Sequence, residues 1–273
     1  MIAVAVGVFG SLIGSFLNVV IFRVPAGRSI VSPPSACGSC GARVRPLDNL
    51  PVFSWLVLRG RCRDCGASIS ARYPLVEFGT ALFFAAVALF VMANTASGAI
   101  GVVAVVATVL TLVAFLYFAA ISVALALIDL DTQRLPDSIV FPAYPVAAVL
   151  LTAAALTAGE PERLLTMAIG AIGLFAAYFT MASLYRGGMG LGDVKLAGVI
   201  GLYLGWLGWG PLAVGAFGAF LFGGLFSLVL VMTRGATGRT AIPFGPWMIV
   251  GAWVGIFAGE QIATAYLALF GLV

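Results

Sequence analysis

The sequence contains no histidine, and Lys195 is the only lysine among its 273 residues. The absence of histidine excludes Ser-His and Cys-His catalysis, catalytic zinc held by histidine, and haem bound through histidine. A serine–lysine dyad would have to use Lys195. Acid–base chemistry therefore falls to the carboxylates, of which the chain has only ten.

Charge is scarce throughout the chain. Charged residues make up 9% of the sequence and hydrophobic residues 62%, whereas a soluble domain carries about 25% charged residues. A single water-soluble core stops growing near this chain length, so burial in such a core does not account for the apolar excess. The composition therefore predicts a membrane protein.

Apolar runs long enough to cross a bilayer, roughly 20 residues each, recur along the chain. We predict eight such spans, at residues 1–22, 74–93, 101–128, 139–158, 164–184, 194–209, 211–232 and 244–271. The expected fold is an all-α polytopic membrane protein with about eight transmembrane helices. The sixth run is short and the turn after it is tight, so counts of seven and nine stay open.

The basic residues indicate how the chain is oriented. Eight of the fourteen lie between Arg23 and Arg72, in the one long polar segment, and cytoplasmic loops carry an excess of Lys and Arg. The first run has no basic residue before it, which favours an uncleaved span with its N-terminus outside. If successive spans cross the membrane in alternating directions from there, only Arg163 of the basic residues lies outside. The four cytoplasmic segments are then 23–73, 129–138, 185–193 and 233–243.

We expect three parts: a first span over 1–22, a cytoplasmic insert over 23–73, and a transmembrane bundle over 74–273. The insert is rich in Gly, Pro, Arg and Ser and is too small to be a second full domain. Its arginines are not interleaved with aromatic residues as in nucleic-acid-binding modules, so we expect no nucleic acid as a partner.

All four cysteines lie in the insert and form two C-x2-C pairs, Cys37 with Cys40 and Cys62 with Cys65. Such pairs are typical of tetrahedral zinc bound by thiolates. Two disulfides are the alternative, which a reducing cytoplasm disfavours. Because four thiolates leave no open coordination position, we expect a structural zinc that supports a segment with little core of its own.

Two polar runs at span ends carry the carboxylates of interest. The first contains Asp129, Asp131 and Asp137, and the second is Gly188-Met-Gly190-Leu-Gly192-Asp193-Val-Lys195. Ionisable groups beside spans are functional candidates, although contact with headgroups or solvent is the alternative, above all for Asp131 and Asp137 in a loop with Arg134. The glycines leave bare backbone around Asp193 for a substrate, or serve helix packing instead.

Two aspartates that share one proton can divide the work of hydrolysis. The ionised carboxylate activates water while the protonated one donates to the substrate carbonyl. Asp129 and Asp193, which the topology places on the same side, form such a candidate pair. Two other classes stay open: a transporter that relays protons or cations through the same aspartates, and a zinc-dependent membrane scaffold.

Several motifs in order along the chain resemble the bacterial type IV prepilin peptidase family. They are Gly14-Ser-Phe-Leu-Asn18, the two cysteine pairs, Asp48-Asn-Leu-Pro-Val-Phe-Ser-Trp55, Arg59-Gly-Arg-Cys62, Arg72-Tyr-Pro-Leu-Val-Glu77, Ile128-Asp129-Leu-Asp131 with Leu135-Pro136-Asp137, and Gly190-x-Gly192-Asp193-Val-Lys195. Leu50 departs from the isoleucine expected in the motif that begins at Asp48. The resemblance covers most of the chain.

The resemblance implies a helical bundle in the bacterial inner membrane that cleaves prepilins and pseudopilins after a glycine on the cytoplasmic side. It implies Asp129, six residues before Leu135-Pro136, and Asp193 as the catalytic pair. It also implies N-methylation of the new N-terminal residue with S-adenosylmethionine. Asn18, Arg23 and Glu77 are candidate polar contributors, with span packing, topology and helix-end solvation as their alternative roles; the sequence assigns no cofactor-binding residue.

Overall fold

The computed structural model describes residues 1–95, 101–184, 189–234 and 243–272. In these ranges the chain forms nine α helices and no strand. The helices are α1 (Ile2–Arg23), α2 (Phe53–Val57), α3 (Arg72–Thr95), α4 (Val102–Thr132), α5 (Asp137–Ala158), α6 (Glu162–Leu184), α7 (Leu191–Leu207), α8 (Trp209–Arg234) and α9 (Gly245–Ala268). The prediction of an all-α fold is confirmed.

Within the described part of the chain, seven helices are long and apolar enough to cross a membrane, namely α1, α3, α4, α5, α6, α8 and α9. The eighth long helix, α7, has 17 residues, at the short end of what spans a hydrocarbon core. Most of α7 from Val194 to Trp206 is buried inside the protein. A helix surrounded by other helices does not have to match the lipid thickness itself, which accounts for its length.

The chain divides into two compact units. The first contains Met1–Asn94 with Leu116–Ala124, a stretch of α4. Here α1 lies directly against α3, since a Cβ at Gly10 would come within 2.7 Å of Phe84. Between these two helices the insert forms a short 3-10 helix over Pro46–Asn49, and then α2; the sequence predicted neither.

The second unit contains the described parts of Thr95–Phe115 and Leu125–Val273. Its helices pack mainly as two close pairs, α6 with α7 and α8 with α9. Polar side chains of α7 are satisfied by neighbouring backbone, because Tyr203 donates to the carbonyl of Ala114 (3.1 Å) and Trp206 to that of Leu151 (3.0 Å). Buried polar groups need such partners.

Two helix boundaries differ from the predicted spans and decide where the carboxylates lie. Helix α4 continues to Thr132 and ends where Gln133 adopts a left-handed conformation with φ 53°. Asp129 and Asp131 are therefore helical, and Asp137 is the first residue of α5 rather than part of a loop. Residues 185–188 of the predicted loop 185–193 and residues 235–242 of the predicted loop 233–243 lie outside the described residues.

Candidate active site and candidate metal centre

Asp129 lies in the last turns of α4 and is only 4% exposed. Its Oδ2 accepts a hydrogen bond from the backbone N–H of Gly245 at 3.0 Å. Gly245 is the first residue of α9, where backbone N–H groups have no partner within the helix. A Cβ on Gly245 would lie 2.8 Å from Oδ2, so the contact requires glycine.

Asp193 is the third residue of α7 and is half-buried. Its Oδ2 accepts from the N–H of Gly190 at 3.2 Å, and its own N–H donates to the carbonyl of Gly190 at 3.1 Å. This reciprocal pair fixes the carboxylate over the start of α7, where the helix dipole favours a negative charge. Gly188 of the predicted glycine run lies outside the described residues.

Leu135 connects the surroundings of the two aspartates. Its side chain would meet a Cβ on Gly192 at 3.0 Å and one on Gly245 at 3.3 Å. The carboxylates of Asp129 and Asp193 lie within electrostatic range of each other. The structure thus brings the end of α4 and the starts of α7 and α9 together, although Asp129 and Gly245 are 116 positions apart in the chain.

A set of contacts between α5 and α7, which the sequence did not predict, holds the start of α7, which carries Asp193, against α5. The Nζ of Lys195 lies 2.8 and 3.0 Å from the two carboxylate oxygens of Asp137, and 4.9 Å from the centre of the Phe141 ring. The hydroxyl of Tyr144 donates to the carbonyl of Lys195 at 2.6 Å. The spacing of Asp137, Phe141 and Tyr144, four and three residues apart, places them on one face of α5.

The four predicted metal ligands come together in the insert. The sulfurs of Cys37, Cys40, Cys62 and Cys65 all lie within 4.8 Å of one another, and those of Cys37 and Cys65 are 3.8 Å apart. A regular tetrahedron with Zn–S bonds of about 2.3 Å has sulfurs about 3.8 Å apart. The cluster therefore fits a structural metal site, with no ligand position left for a substrate.

Both cysteine pairs adopt the same local fold. In the first, Gly41 has φ 74° and donates to the carbonyl of Cys37 at 2.9 Å. In the second, Gly66 has φ 71° and donates to the carbonyl of Cys62 at 3.0 Å. The left-handed conformation favours glycine and turns the chain back so that both sulfurs of a pair point to the same place.

Hydrogen bonds make the Cys37 thiol ready for metal binding. Backbone N–H groups of Cys40 and Ser39 lower the pKa of Cys37 to about 6, which favours the thiolate that metals bind. For Cys65, the N–H of Ala67 lowers the pKa, but the neighbouring thiols and burial outweigh it and raise the pKa to about 12. Four adjacent sulfurs do not all ionise easily unless a cation joins them.

The three candidate polar contributors near the insert all have structural partners. Asn18 donates to the carbonyl of Tyr73 at 3.2 Å, Arg23 donates to the carbonyl of Ser29 at 3.0 Å, and Glu77 accepts from the N–H of Val52 at 2.7 Å. Each contact stabilises the junction of a membrane helix with the insert or with α3. We therefore assign none of them to a cofactor.

Comparison with known proteins relates this arrangement to a family. Residues 8–91 match the Bacterial Peptidase A24 N-terminal domain, and residues 116–228 match the Type IV leader peptidase family. No solved structure matches the chain.

Three relatives, each called prepilin leader peptidase/N-methyltransferase, match almost from end to end. The protein of Aeromonas hydrophila is 34% identical over 96% of this chain and 92% of its own length. That of Pseudomonas putida is 34% identical over 97% and 93%, and that of Neisseria gonorrhoeae 31% identical over 94% and 91%. Two domain matches in order and full-length similarity lead to one conclusion: the chain belongs to the type IV leader peptidase family.

Proposed function

We propose that this chain is a membrane aspartyl endopeptidase that removes the leader peptides of type IV prepilins and pseudopilins. Cleavage takes place after a glycine, at the cytoplasmic face of the bacterial inner membrane. The observation that carries the proposal is that Asp129 and Asp193, each held by a backbone N–H, lie at helix ends that meet around Leu135. The names of the full-length relatives support the choice of substrate.

In the proposed mechanism, Asp129 and Asp193 share one proton. The ionised carboxylate takes a proton from water, whose oxygen attacks the carbonyl carbon of the scissile glycine, while the protonated carboxylate donates to the carbonyl oxygen. Collapse of the tetrahedral intermediate breaks the C–N bond. The carboxylate that took the proton from water passes it to the leaving nitrogen, and the other carboxylate regains its proton from a hydroxyl of the intermediate. The products are a leader peptide ending in a glycine carboxylate and a new N-terminal amine.

We further propose that the insert, residues 23–73, binds one zinc ion through Cys37, Cys40, Cys62 and Cys65. The match between the sulfur spacing and tetrahedral Zn–S geometry supports this choice of metal. The bundle over 74–273 carries the peptidase activity, and the span over 1–22 crosses the membrane with its N-terminus outside. A transporter that uses the same aspartates gains no support from these observations.

The relatives' names support a second activity, N-methylation. We propose that the new N-terminal amine attacks the methyl group of S-adenosylmethionine, so that a C–N bond forms, the C–S bond breaks, and S-adenosylhomocysteine and a proton leave. We derive no step from Asn18, Arg23 or Glu77, because all three are engaged in structural contacts.

Product masses test both activities together. The purified protein in proteoliposomes is incubated with a prepilin, with and without S-adenosylmethionine. We expect cleavage after the glycine in both samples and an added mass of one methyl group only with the cofactor. An intact precursor in both samples would overturn the peptidase, and cleavage without added mass would overturn the methyltransferase.

A further inference from the structure

The short helix α2 of the insert has an apolar surface that the described residues leave uncovered. Phe53, Leu56 and Val57 lie three and four positions apart and therefore share one face of the helix. Leu50, in the turn before α2, is exposed as well. We call these four side chains the apolar patch; their exposure runs from 51% for Leu50 to 75% for Val57. Single exposed apolar residues are common, but four so close together indicate a surface with a partner.

The start of α2 is fixed to α3. The N–H of Val52, the residue before α2, donates to Oε2 of Glu77 at 2.7 Å. Val52 keeps a positive φ of 64°, which is unfavourable for a β-branched residue. Such a conformation persists only where the surrounding contacts hold it, so the position of α2 against α3 is well defined.

Glu77 in turn shows how deep α2 lies. A Cβ on Gly14 of α1 would come within 2.7 Å of the Cα of Glu77, so these two residues are level with each other. Gly14 lies nine positions before Arg23, the last residue of α1, which is about 13 Å along the helix. A glutamate side chain does not span that distance. The start of α2 therefore lies beside the membrane helices and not in the water beyond the end of α1.

Basic residues follow the apolar patch directly in the chain. Arg59 and Arg61 come just after α2, and both are exposed. Neither has a carboxylate partner in the described part of the chain, whereas Arg63 pairs with Asp48 at 2.6 Å. Unpaired guanidinium groups beside an apolar face match the phosphates and acyl chains of an anionic membrane surface. A second protein chain fits less well, because lipid is the nearest neighbour at this depth.

We propose that α2 is an interfacial membrane anchor, in which the apolar patch enters the leaflet where α1 ends and Arg59 and Arg61 bind lipid phosphates. The insert is then not a purely aqueous segment. It is held at the membrane at three places, namely the end of α1, α2 and the start of α3. This surface adds to the proposed peptidase function and does not depend on it.

Photo-crosslinking of the full-length protein tests the anchor. Phe53→p-benzoylphenylalanine is placed in vesicles of phosphatidylcholine and labelled phosphatidylglycerol. The same replacement at Phe78, exposed on α3, is the control for contact with lipid, and that at Ser39, exposed between two metal ligands, is the control for the rest of the insert. All three side chains are exposed, so the replacements disturb no packing.

We expect the yield of lipid adducts at Phe53 to approach that at Phe78. It should exceed the yield at Ser39 at least about tenfold, because burial of one large apolar side chain favours the membrane by that factor or more. Adding Arg59→Gln together with Arg61→Gln should lower the yield at Phe53 several-fold and leave the yield at Phe78 unchanged.

Three outcomes would overturn the proposal. A yield at Phe53 no higher than that at Ser39 would show that the apolar patch lies outside the bilayer. Adducts with a second copy of the chain in place of lipid would make the patch a protein interface. An unchanged yield in the arginine variant would remove the phosphate contacts. Failure of the proposed function looks different, since prepilin would then stay uncleaved while lipid adducts still formed at Phe53.

Discussion

At the scale of single residues, the carboxylate of Asp129 rests against the start of α9. The N–H of Gly245 lies 3.0 Å from Oδ2, and the place where a side chain would begin is 2.8 Å from the same oxygen. Real Cβ atoms do not come so close to an oxygen that lacks room to move. Asp129 is 4% exposed, so its side chain has little room to move away from an added Cβ.

Gly245→Ala is therefore expected to displace the Asp129 carboxylate and lower kcat for prepilin cleavage by at least about tenfold, because misplaced catalytic groups lose rate steeply. Cleavage kinetics and the thermal unfolding temperature check this together. Gly224→Ala on α8 is the control, since a Cβ there meets nothing within 4 Å. Normal kcat in Gly245→Ala would contradict the described contact.

The cysteine cluster makes a prediction about bound metal. Cys37→Ser removes one of the four clustered sulfurs and leaves three ligands. We expect elemental analysis of the purified protein to find about one zinc per chain in the wild type and far less in the variant. Ser39→Ala, in the same turn, should keep its metal; equal zinc in wild type and Cys37→Ser would refute the site.

At the scale of elements, α5 holds α7 through the Lys195 side chain and the Lys195 carbonyl. Asp137 lies eight positions after Asp129, and Lys195 lies two after Asp193. The ion pair therefore ties the start of α5, which follows the helix that carries Asp129, to the start of α7, which carries Asp193. Lys195 and Asp137 have side chains that are 28% and 55% exposed, so solvent weakens their contribution to stability.

Lys195→Met is expected to lower kcat several-fold while changing the free energy of unfolding by less than about 1 kcal/mol. Lys195→Arg, which keeps the positive charge, should recover most of kcat. KM should change little in either variant, because Lys195 positions Asp193 rather than binding substrate. Wild-type kcat in Lys195→Met would show that the ion pair has no positioning role.

The ends of α4 and α7 show what the hydrophobic pattern leaves out. Counting apolar residues predicts a span that stops at 128, whereas the helix continues through Asp129 to Thr132. Similarly, α7 begins at Leu191, before the predicted 194. The helices extend past the apolar run because their backbone hydrogen bonds do not depend on apolar side chains. The N–H of Gln133 donates to the carbonyl of Asp129 at the end of α4, and the N–H of Asp193 donates to that of Gly190 at the start of α7.

At the scale of the whole molecule, the long helices and the metal cluster follow from local patterns, and the sequence predicted both. The contacts that shape the site are not local. Gly245 and Asp129, or Tyr144 and Lys195, are joined by packing between helices distant in sequence. A single sequence carries no signal for such pairs, so the donor to Asp129 and the Lys195–Asp137 ion pair could not be predicted from it.

Topology makes a prediction at the same scale. Helices α5 and α6, which lie between the two aspartates in the chain, are both long and apolar enough to span a membrane. Two crossings would return the chain to the side of the membrane on which α4 ends. Protease sites are inserted beside Ser29 in the insert and beside Glu160, between α5 and α6. In spheroplasts, the two sites should differ in their accessibility to protease added outside. We expect external protease to cut only beside Glu160. Cutting beside Ser29 alone would show that the chain has the opposite orientation.

The most direct test of the account is prepilin cleavage by Asp129→Asn and Asp193→Asn in membranes, with Asp131→Asn as the matched control at the same end of α4. Asparagine keeps the shape of aspartate but cannot carry the shared proton. We expect either variant to lower kcat by at least about a hundredfold, while the control cleaves. Near wild-type cleavage by Asp129→Asn or Asp193→Asn would contradict the proposed aspartyl mechanism.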